Sequence, residues 1–462
     1  MSRGQVVTAG AQLFYAAVTS RLVTDTGFGE YAVALSVFGL IALLANGGLG
    51  QAAARLREIN GGVLSALSFY AYGLGILAAG SLLLTADFWA AVWGAPHSAG
   101  AIRLLSISAF FAPLVGLSTG TLRRQGRYGL LAGIVVTSNV VGMGVGIAIV
   151  VHSPGPIALA ASPVLAMVLL ALFAVSLNLA LYSRRPNLNL ARVEVMFSWR
   201  VTAMNLLAYA GGNVGKIALS QGVGVSVLGQ WNRADVVTTL PMEQAQTAVQ
   251  QAVYPEFRHD ARSGSRTSER WTDLLSLVAW VALPGSALLA VTAPAVIPVL
   301  FGPGWEAAVS LSVALAVAGG IRMLFVTLGG AMEAIARFRE VALVLGVGLL
   351  TQSVGAVIAV LNASVTPILA GLLISLVMQH ALQVALCARS GLINYRDLAR
   401  QYFFALLFSM AVVLGVASVG FAFGKSPLVG FLVLATEALI VVASTWRYWR
   451  VFPPVAIFRR RW

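Results

Sequence analysis

The sequence predicts an all-α polytopic membrane protein with about fourteen transmembrane helices. Of its 462 residues, 59% are hydrophobic and only 10% are charged, and the mean hydropathy is +0.87. Apolar runs of about 18 residues or more recur from end to end, and a membrane crossing needs about 20 residues. Because no long hydrophilic segment interrupts these runs, the chain has no room for a separate soluble domain.

Turn signals and apolar runs predict the spans in order along the chain. The predicted spans cover residues 5–23, 29–49, 63–84, 101–121, 129–151, 157–182, 200–224, 231–254, 272–299, 306–332, 340–361, 364–387, 400–423 and 427–446. The eighth is unusual, because residues 227–257 carry five glutamines, one aspartate, two glutamates and one arginine. An even number of spans places both termini on the same side of the membrane.

The basic residues predict which side that is. Of the 30 lysines and arginines, 24 lie near the two termini or next to the ends of even-numbered spans. The remaining six are Arg21, Arg103, Lys216, Arg233, Arg322 and Lys425. Because cytoplasmic loops are enriched in basic residues, both termini are predicted to be cytoplasmic. This distribution also accounts for the net charge of +14 without a nucleic-acid partner.

Other chemistries lack support in the sequence. The single cysteine and the four widely separated histidines form no metal-ligand spacing. No Ser-His-Asp arrangement, paired carboxylates in a cleft or ATP-binding motif is present, and GGNVGK at 211–216 lacks the spacing of a phosphate-binding loop. We therefore expect no metal, no cofactor and no enzymatic activity.

An internal repeat predicts two lobes. Residues 27–58 align with 227–258, placing Glu30 opposite Gln230, and WGAP at 93–96 and GRY at 126–128 correspond to FGPG at 301–304 and RFR at 337–339. Six spans per repeat give two six-helix lobes related by an axis along the membrane normal, with substrate bound between them. The predicted regions are 1–192, 193–390 and a tail with two further spans, 391–462. The alternative is that glycine-rich membrane helices simply resemble one another.

Two successive spans carry polar stripes with the same spacing, i, i+4, i+8, i+11 and i+15. Their members are Asn205, Tyr209, Asn213, Lys216 and Ser220 in span 7, and Asp235, Thr239, Glu243, Gln246 and Gln250 in span 8. At 100° per residue each stripe covers less than a quadrant of its helix. Polar faces at membrane depth must meet protein or water, so the paired stripes predict a shared hydrated cavity. The alternative for any single residue is hydrogen bonding between helices.

Two cations within spans are candidate ligands for an anionic substrate. Lys216 and Arg322 are costly to place in a membrane, and they suit phosphate or carboxylate. The alternative is structural pairing with Glu243 or Glu333. Glu243 is also a candidate for coupling transport to protons, with a purely structural role as the alternative.

Several stretches resemble a known family. SRLVTDTGFGEYAVALSVFGLIALLANGGLGQAAAR at 20–55 is similar to the opening of Wzx-type polysaccharide and O-antigen flippases. TLRRQGRY at 121–128, YPEFRHD at 254–260 and FGPGWEAAVSLSVALA at 301–316 resemble later landmarks of that family. The resemblance covers spans 1–12. It implies the multidrug/oligosaccharidyl-lipid/polysaccharide exporter fold, in which two lobes form a V around a central cavity.

The resemblance also implies a function and partners. Family members move lipid-linked oligosaccharides from the cytoplasmic to the outer leaflet of the bacterial inner membrane, among membrane lipids and alongside polysaccharide polymerase or export machinery. A flippase is therefore the first hypothesis. A multidrug or cation antiporter of the same fold is the alternative, although spans 1–6 show no acid at mid-membrane depth. A membrane glycan polymerase, which typically carries a long external loop, and a structural scaffold are the remaining hypotheses.

Overall fold

A computed structural model describes residues 3–56, 58–59, 61–182, 185–186, 188–263 and 268–423, and the regular secondary structure of these residues is entirely helical. The helices are α1 (Arg3–Ser20), α2 (Asp25–Asn46), α3 (Leu49–Arg55), α4 (Gly61–Val92), α5 (Ser98–Arg124), α6 (Tyr128–His152), α7 (Pro156–Ser176), α8 (Leu179–Tyr182), α9 (Leu188–Gly222), α10 (Val225–Ser263), α11 (Ser268–Phe301), α12 (Glu306–Ala334), α13 (Phe338–Asn362), α14 (Thr366–Arg389) and α15 (Tyr395–Phe423). The predicted all-α class is confirmed.

Each of the first thirteen predicted spans overlaps a described helix, with the sixth covering both α7 and α8, and the span at 427–446 lies outside the described residues. The second is divided into α2 and α3, because Gly47 and Gly48 adopt left-handed φ angles of 52° and 67°. Within the described part of the chain, ten helices are long and apolar enough to cross a membrane, with α2 and α3 counted as one. The chain is thus a multi-pass membrane protein.

The two polar helices α9 and α10 are not among those ten, although they are long. They contain 35 and 39 residues, so they extend over about 52 and 58 Å at 1.5 Å per residue. A bilayer core is only about 30 Å thick. Their length therefore suffices for a crossing, and it is their polar residues that set them apart from the other long helices.

The chain divides into two compact units, Met1–Gly229 and Gln230–Trp462, and the division falls inside α10. Helix α9 belongs to the first unit, where it packs against α2, α3 and α4. The regions 1–192, 193–390 and 391–462 follow from the sequence repeat and stay predictions.

Small residues bring the helices of the first unit into close contact. A Cβ atom at Gly120 of α5 would lie 2.3 Å from the Gly50 carbonyl oxygen of α3, and one at Gly146 of α6 would lie 2.6 Å from Ser162 Cβ of α7. The start of α10 crosses α2 in the same way, because a Cβ at Gly229 would lie 1.9 Å from the Asp25 carbonyl oxygen. In membranes, where helices gain little from hydrophobic burial against one another, such backbone approach is a main source of packing energy.

The second unit repeats this pattern with different residues. Helix α13 packs against α14, and α11 packs against both α12 and α15. Gly355 and Gly371 meet at the α13–α14 crossing, where a Cβ at Gly355 would lie 2.7 Å from the Pro367 carbonyl oxygen. A Cβ at Gly320 of α12 would lie 2.5 Å from Ser286 Oγ of α11. The second unit thus depends on small residues at its helix crossings as the first does.

The turn that follows the predicted fourth and tenth spans shows the repeat in backbone geometry. Arg127 has φ −81° and ψ 48°, and Arg337 has φ −83° and ψ 47°. The preceding residues, Gly126 and Ala336, have φ angles of 74° and 62°. The sequence alignment placed Gly126 opposite Arg337, which is wrong by one residue. Alanine at the left-handed position hid the correspondence, because such positions usually carry glycine.

Candidate functional site

Two members of the α9 stripe serve helix packing. The Tyr209 hydroxyl donates a hydrogen bond to the Ser36 carbonyl oxygen of α2, and its ring lies against Gly39, where a Cβ atom would come within 2.8 Å of the hydroxyl oxygen. Ser220 is buried and donates to the Trp93 carbonyl oxygen at 2.6 Å. For these residues the hydrogen-bonding alternative describes the structure better than direct ligand contact.

The remaining members of the α9 stripe include an unneutralised cation. Lys216 is half-buried, and it has no ion-pair or hydrogen-bond partner within the described part of the chain. One turn before it, Asn213 donates to the Tyr209 carbonyl oxygen at 2.9 Å, so its amide oxygen stays available as an acceptor. Asn205 is exposed. Lys216 and Asn213 therefore form the polar centre of this helix face.

The α10 stripe is partly engaged within its own helix. Thr239 Oγ1 donates to Asp235 Oδ1 at 2.5 Å, and both side chains are half-buried. Gln246 is half-buried, and Glu243 is exposed but makes a contact of its own. The Gln250 side chain lies outside the described residues. The shared cavity formed by the two stripes stays a prediction.

Arg322 lies on α12 and is exposed. It has no ion-pair partner among the residues that the structure describes, so the pairing with Glu333 considered from the sequence is not formed. Both candidate cations thus remain available to an anion.

The sequence analysis missed a buried polar contact that occurs once in each unit. Gln230 is 5% exposed; its Nε2 donates to the Gly304 carbonyl oxygen at 2.7 Å, and its Oε1 accepts from the Ala308 N–H at 3.1 Å. In the first unit, the buried Glu30 carboxylate approaches the backbone N–H of His97. The sequence repeat, which places Glu30 opposite Gln230, was the feature that could have predicted this contact. Glu30 therefore connects α2 to the turn between α4 and α5.

A second missed feature is a chain of buried polar side chains between α13 and α14. Gln379 Nε2 donates to Ser375 Oγ at 2.8 Å, Ser375 Oγ donates to the Gly348 carbonyl oxygen at 3.1 Å, and Gln352 Nε2 donates to Ser375 Oγ at 3.2 Å. Ser375, Gln379 and Gln383 occur at i, i+4 and i+8, the same spacing that drew attention to α9 and α10. The sequence therefore contained the signal in span 12 as well.

Each unit carries its own candidate residues. In the first unit, Lys216 supplies positive charge, and Asn205 and Asn213 supply amide donors and acceptors. In the second unit, Arg322 supplies positive charge and Gln246 an amide. No group of three or more metal-ligating side chains occurs among the described residues.

The fold is similar to the folds of two solved membrane proteins. The chain is similar to the lipid II flippase MurJ in its inward closed conformation, with a TM-score of 0.75, 10% sequence identity, and coverage of 96% of this chain and 98% of that one. It is also similar to a multidrug resistance MATE transporter in an inward-facing conformation, with a TM-score of 0.57, 17% identity, and coverage of 88% and 98%. At these identities the likeness concerns the fold alone.

Sequence comparison identifies the family. A model described as "Polysaccharide biosynthesis protein" matches residues 18–310, and the chain belongs to this family. It is 23% identical over 343 residues to the lipopolysaccharide biosynthesis protein WzxC of Escherichia coli (strain K12), covering 72% of this chain and 68% of the relative. It is 26% identical over 229 residues to the teichuronic acid biosynthesis protein TuaB of Bacillus subtilis (strain 168), covering about half of each protein, 48% and 47%. The predicted resemblance to Wzx-type flippases is confirmed.

Proposed function

We propose that this protein flips a lipid-linked oligosaccharide, of the polyprenyl-diphosphate type, from the cytoplasmic to the outer leaflet for assembly of a surface polysaccharide. Membership in the polysaccharide biosynthesis family supports this proposal. So do the two relatives, which take part in lipopolysaccharide and teichuronic acid biosynthesis. The MurJ likeness adds a fold that accommodates lipid-linked substrates.

The observation that carries the proposal is Lys216. It is a half-buried ammonium group on a helix long enough to cross the membrane, and it has no counter-ion within the described part of the chain. An ammonium group removed from water is costly unless an anion or water accompanies it. A diphosphate linkage would supply that anion during transport, and Arg322 is the candidate cation of the second unit.

The other candidate residues would contact the sugars. Asn205, Asn213, Gln246 and Gln250 can exchange hydrogen bonds with hydroxyl groups, as can the Asp235–Thr239 pair. Tyr209 would act indirectly, by fixing α9 against α2. Glu243 is our candidate for ion coupling within the α10 stripe.

Transport would proceed by alternating access, with the candidate residues exposed first to the cytoplasm and then to the outside. The protein would reside in the bacterial inner membrane with both termini in the cytoplasm, as the distribution of basic residues indicates. It would work beside a polysaccharide polymerase or other export machinery. No step of this cycle requires a covalent intermediate, so we propose a transporter and not an enzyme.

A complementation experiment tests this function. A deletion strain is expected to lose its surface polysaccharide, and the wild-type gene is expected to restore it. The double variant Lys216→Ala, Arg322→Ala should reduce the restored polysaccharide severely, whereas Lys216→Arg keeps the positive charge and should retain more. Arg103→Ala is the matched control, because Arg103 is an exposed cation paired with Asp87 at 2.5 Å. Equal membrane amounts of all variants are verified by immunoblotting.

Other outcomes would favour the alternatives. Unchanged surface polysaccharide in the double variant would refute the assignment of Lys216 and Arg322. A deletion strain with normal polysaccharide but increased sensitivity to cationic dyes would refute the flippase and favour an antiporter. A strain that still exports glycan of altered chain length would favour a polymerase.

A further inference from the structure

The second unit contains a histidine buried in a membrane-spanning helix. His380 is the fifteenth of the 24 residues of α14, and it is 8% exposed. Its Nε2 lies 3.0 Å from the Tyr402 hydroxyl oxygen of α15. The two rings are stacked, with centroids 5.8 Å apart and an interplanar angle of 22°. Ionisable side chains inside spans are rare, and they often mark proton or ion pathways.

The opposite edge of the imidazole faces a second buried polar side chain. Gln383 is 1% exposed, and its carboxamide approaches the ring. Within the described part of the chain, neither His380 Nδ1 nor Gln383 Oε1 has a hydrogen-bond partner of normal geometry. The two buried polar atoms without partners therefore belong to neighbouring side chains, and a hydrogen on Nδ1 that reached Gln383 Oε1 would satisfy both.

Among the residues that the structure describes, no charged side chain forms an ion pair with the imidazole. Helix α14 packs against α12, α13 and α15. The charged groups on these helices and on α14 itself are Glu306, Arg322, Glu333, Arg339, Glu340, Arg389, Arg396, Asp397 and Arg400, and His380 forms an ion pair with none of them in the described part of the chain. Tyr402 is the titratable group that faces it. Burial favours the neutral imidazole, so a positive charge on the ring depends on its neighbours Tyr402 and Gln383 and on proton supply.

This arrangement can hold both protonation states with hydrogen bonds intact. In the neutral state, Nδ1–H donates to Gln383 Oε1, and Nε2 accepts from the Tyr402 hydroxyl. When a proton from water binds the Nε2 lone pair, Nε2–H donates to the Tyr402 oxygen, and the hydroxyl changes from donor to acceptor. Only the direction of one hydrogen bond changes, so neither state leaves a ring nitrogen unpaired.

We propose that His380, held between Tyr402 and Gln383, is a proton-binding site whose protonation is coupled to the transport cycle. The coupling part rests on the proposed transport function. Tyr402 packs against the buried cluster of Met242, Val278, Ala279, Ala282, Met323 and Leu324, and Met242 lies on the polar helix α10. A change at Tyr402 thereby reaches α10 through one layer of side chains, next to Glu243.

Proton binding can be measured directly on the full-length protein. The chain has four histidines, His97, His152, His259 and His380, so ¹⁵N-histidine labelling in lipid nanodiscs gives few resonances, and His380→Gln identifies the one of interest. An unperturbed histidine ring titrates between about pH 5 and 8, and burial favours its neutral form, so the titration is followed to lower pH as well. The His380 resonance is expected to change from a neutral to a doubly protonated ring as the pH falls. A resonance that stays in one neutral form from about pH 4 to 9 would overturn the proposal.

Coupling is measured by transport of a fluorescent lipid-linked oligosaccharide in proteoliposomes over the same pH range. Wild-type transport should follow the titration of His380, and His380→Gln should remove that pH step. The control His152→Gln alters an exposed histidine whose Nδ1 contacts the Ala148 carbonyl oxygen, and it should keep the wild-type profile. Glu243→Gln distinguishes the rival carboxylate: if that variant alone removes the pH step, Glu243 is the coupling residue and the proposal is wrong.

Three further cases complete the test. If His380→Gln does not fold, Tyr402→Phe identifies the resonance by its shift, and the titration of the wild-type protein still decides proton binding. If His380 titrates while the wild-type protein moves no lipid-linked glycan, the proposed function fails and the proton site stands. If His380 titrates but its replacement leaves the pH profile of transport unchanged, the coupling is refuted.

Discussion

Replacing Gln230 by alanine should destabilise the second unit, because one buried carboxamide stabilises the start of α12. The Ala308 N–H that donates to Gln230 Oε1 belongs to the third residue of α12, and the N-cap residue Trp305 provides no side-chain cap. The first N–H groups of a helix have no partner within the helix. Gln230 thus performs from α10 the role that an N-cap side chain usually performs.

The loss in free energy of unfolding depends on whether water can replace each hydrogen bond that Gln230 makes. Ala308 is fully buried, so its N–H would stay unpaired, which costs about 1–3 kcal/mol. Gly304 is exposed, so its carbonyl can be rehydrated, and the lost bond costs about 1 kcal/mol. Gln230→Ala should therefore lower the free energy of unfolding by about 2–4 kcal/mol.

Thermal unfolding in detergent, followed by tryptophan fluorescence, measures the effect. Gln230→Glu should lose less than Gln230→Ala, because a carboxylate still accepts from the Ala308 N–H and is favoured at a helix N-terminus. Gln244→Ala on the same helix is the matched control, because Gln244 is half-buried without a hydrogen bond in the described part of the chain. Equal melting temperatures for Gln230→Ala and Gln244→Ala would refute the reasoning.

Three further changes test other contacts. Gly229→Ala would place a Cβ 1.9 Å from the Asp25 carbonyl oxygen, so α2 and α10 must separate, and we expect a loss of about 3 kcal/mol or more in thermal unfolding. Ala336→Gly should raise stability by about 1 kcal/mol, because φ is 62° at this position. Arg55 and Glu194, paired at 2.9 Å at the protein surface, should show a coupling energy of about 1 kcal/mol or less in a double-mutant cycle, decreasing in high salt.

Each of these three predictions has a control or an outcome that would contradict it. Gly144→Ala has open space around its Cβ and should be nearly neutral; an equally mild Gly229→Ala would show that the crossing is not close. Gly126→Ala should destabilise where Ala336→Gly stabilises, and effects of the same sign would contradict the turn repeat. A coupling between Arg55 and Glu194 that persists in 1 M salt would indicate a buried pair.

The sequence by itself determined the architecture and the identity of the polar helices. Apolar runs predicted the spans, because each crossing must satisfy its backbone in lipid and therefore reads as a long hydrophobic helix. The repeat and the charge alternation predicted that α10 is a membrane helix corresponding to α2, despite its glutamines. The sequence also identified Lys216 as a candidate site residue, because a charged side chain within a span is costly unless a counter-ion or water accompanies it.

Only the tertiary structure showed which polar residues form hydrogen bonds to neighbouring helices. Tyr209 and Lys216 have equivalent places in one stripe, yet the Tyr209 hydroxyl is bonded to α2 and Lys216 has no partner within the described residues. The sequence aligned Glu30 with Gln230 but could not show that each reaches the turn before the next helix, and it gave no reason to connect His380 with Tyr402. Helical periodicity determines the face on which a side chain lies, whereas its hydrogen-bond partner depends on the helix that packs against that face.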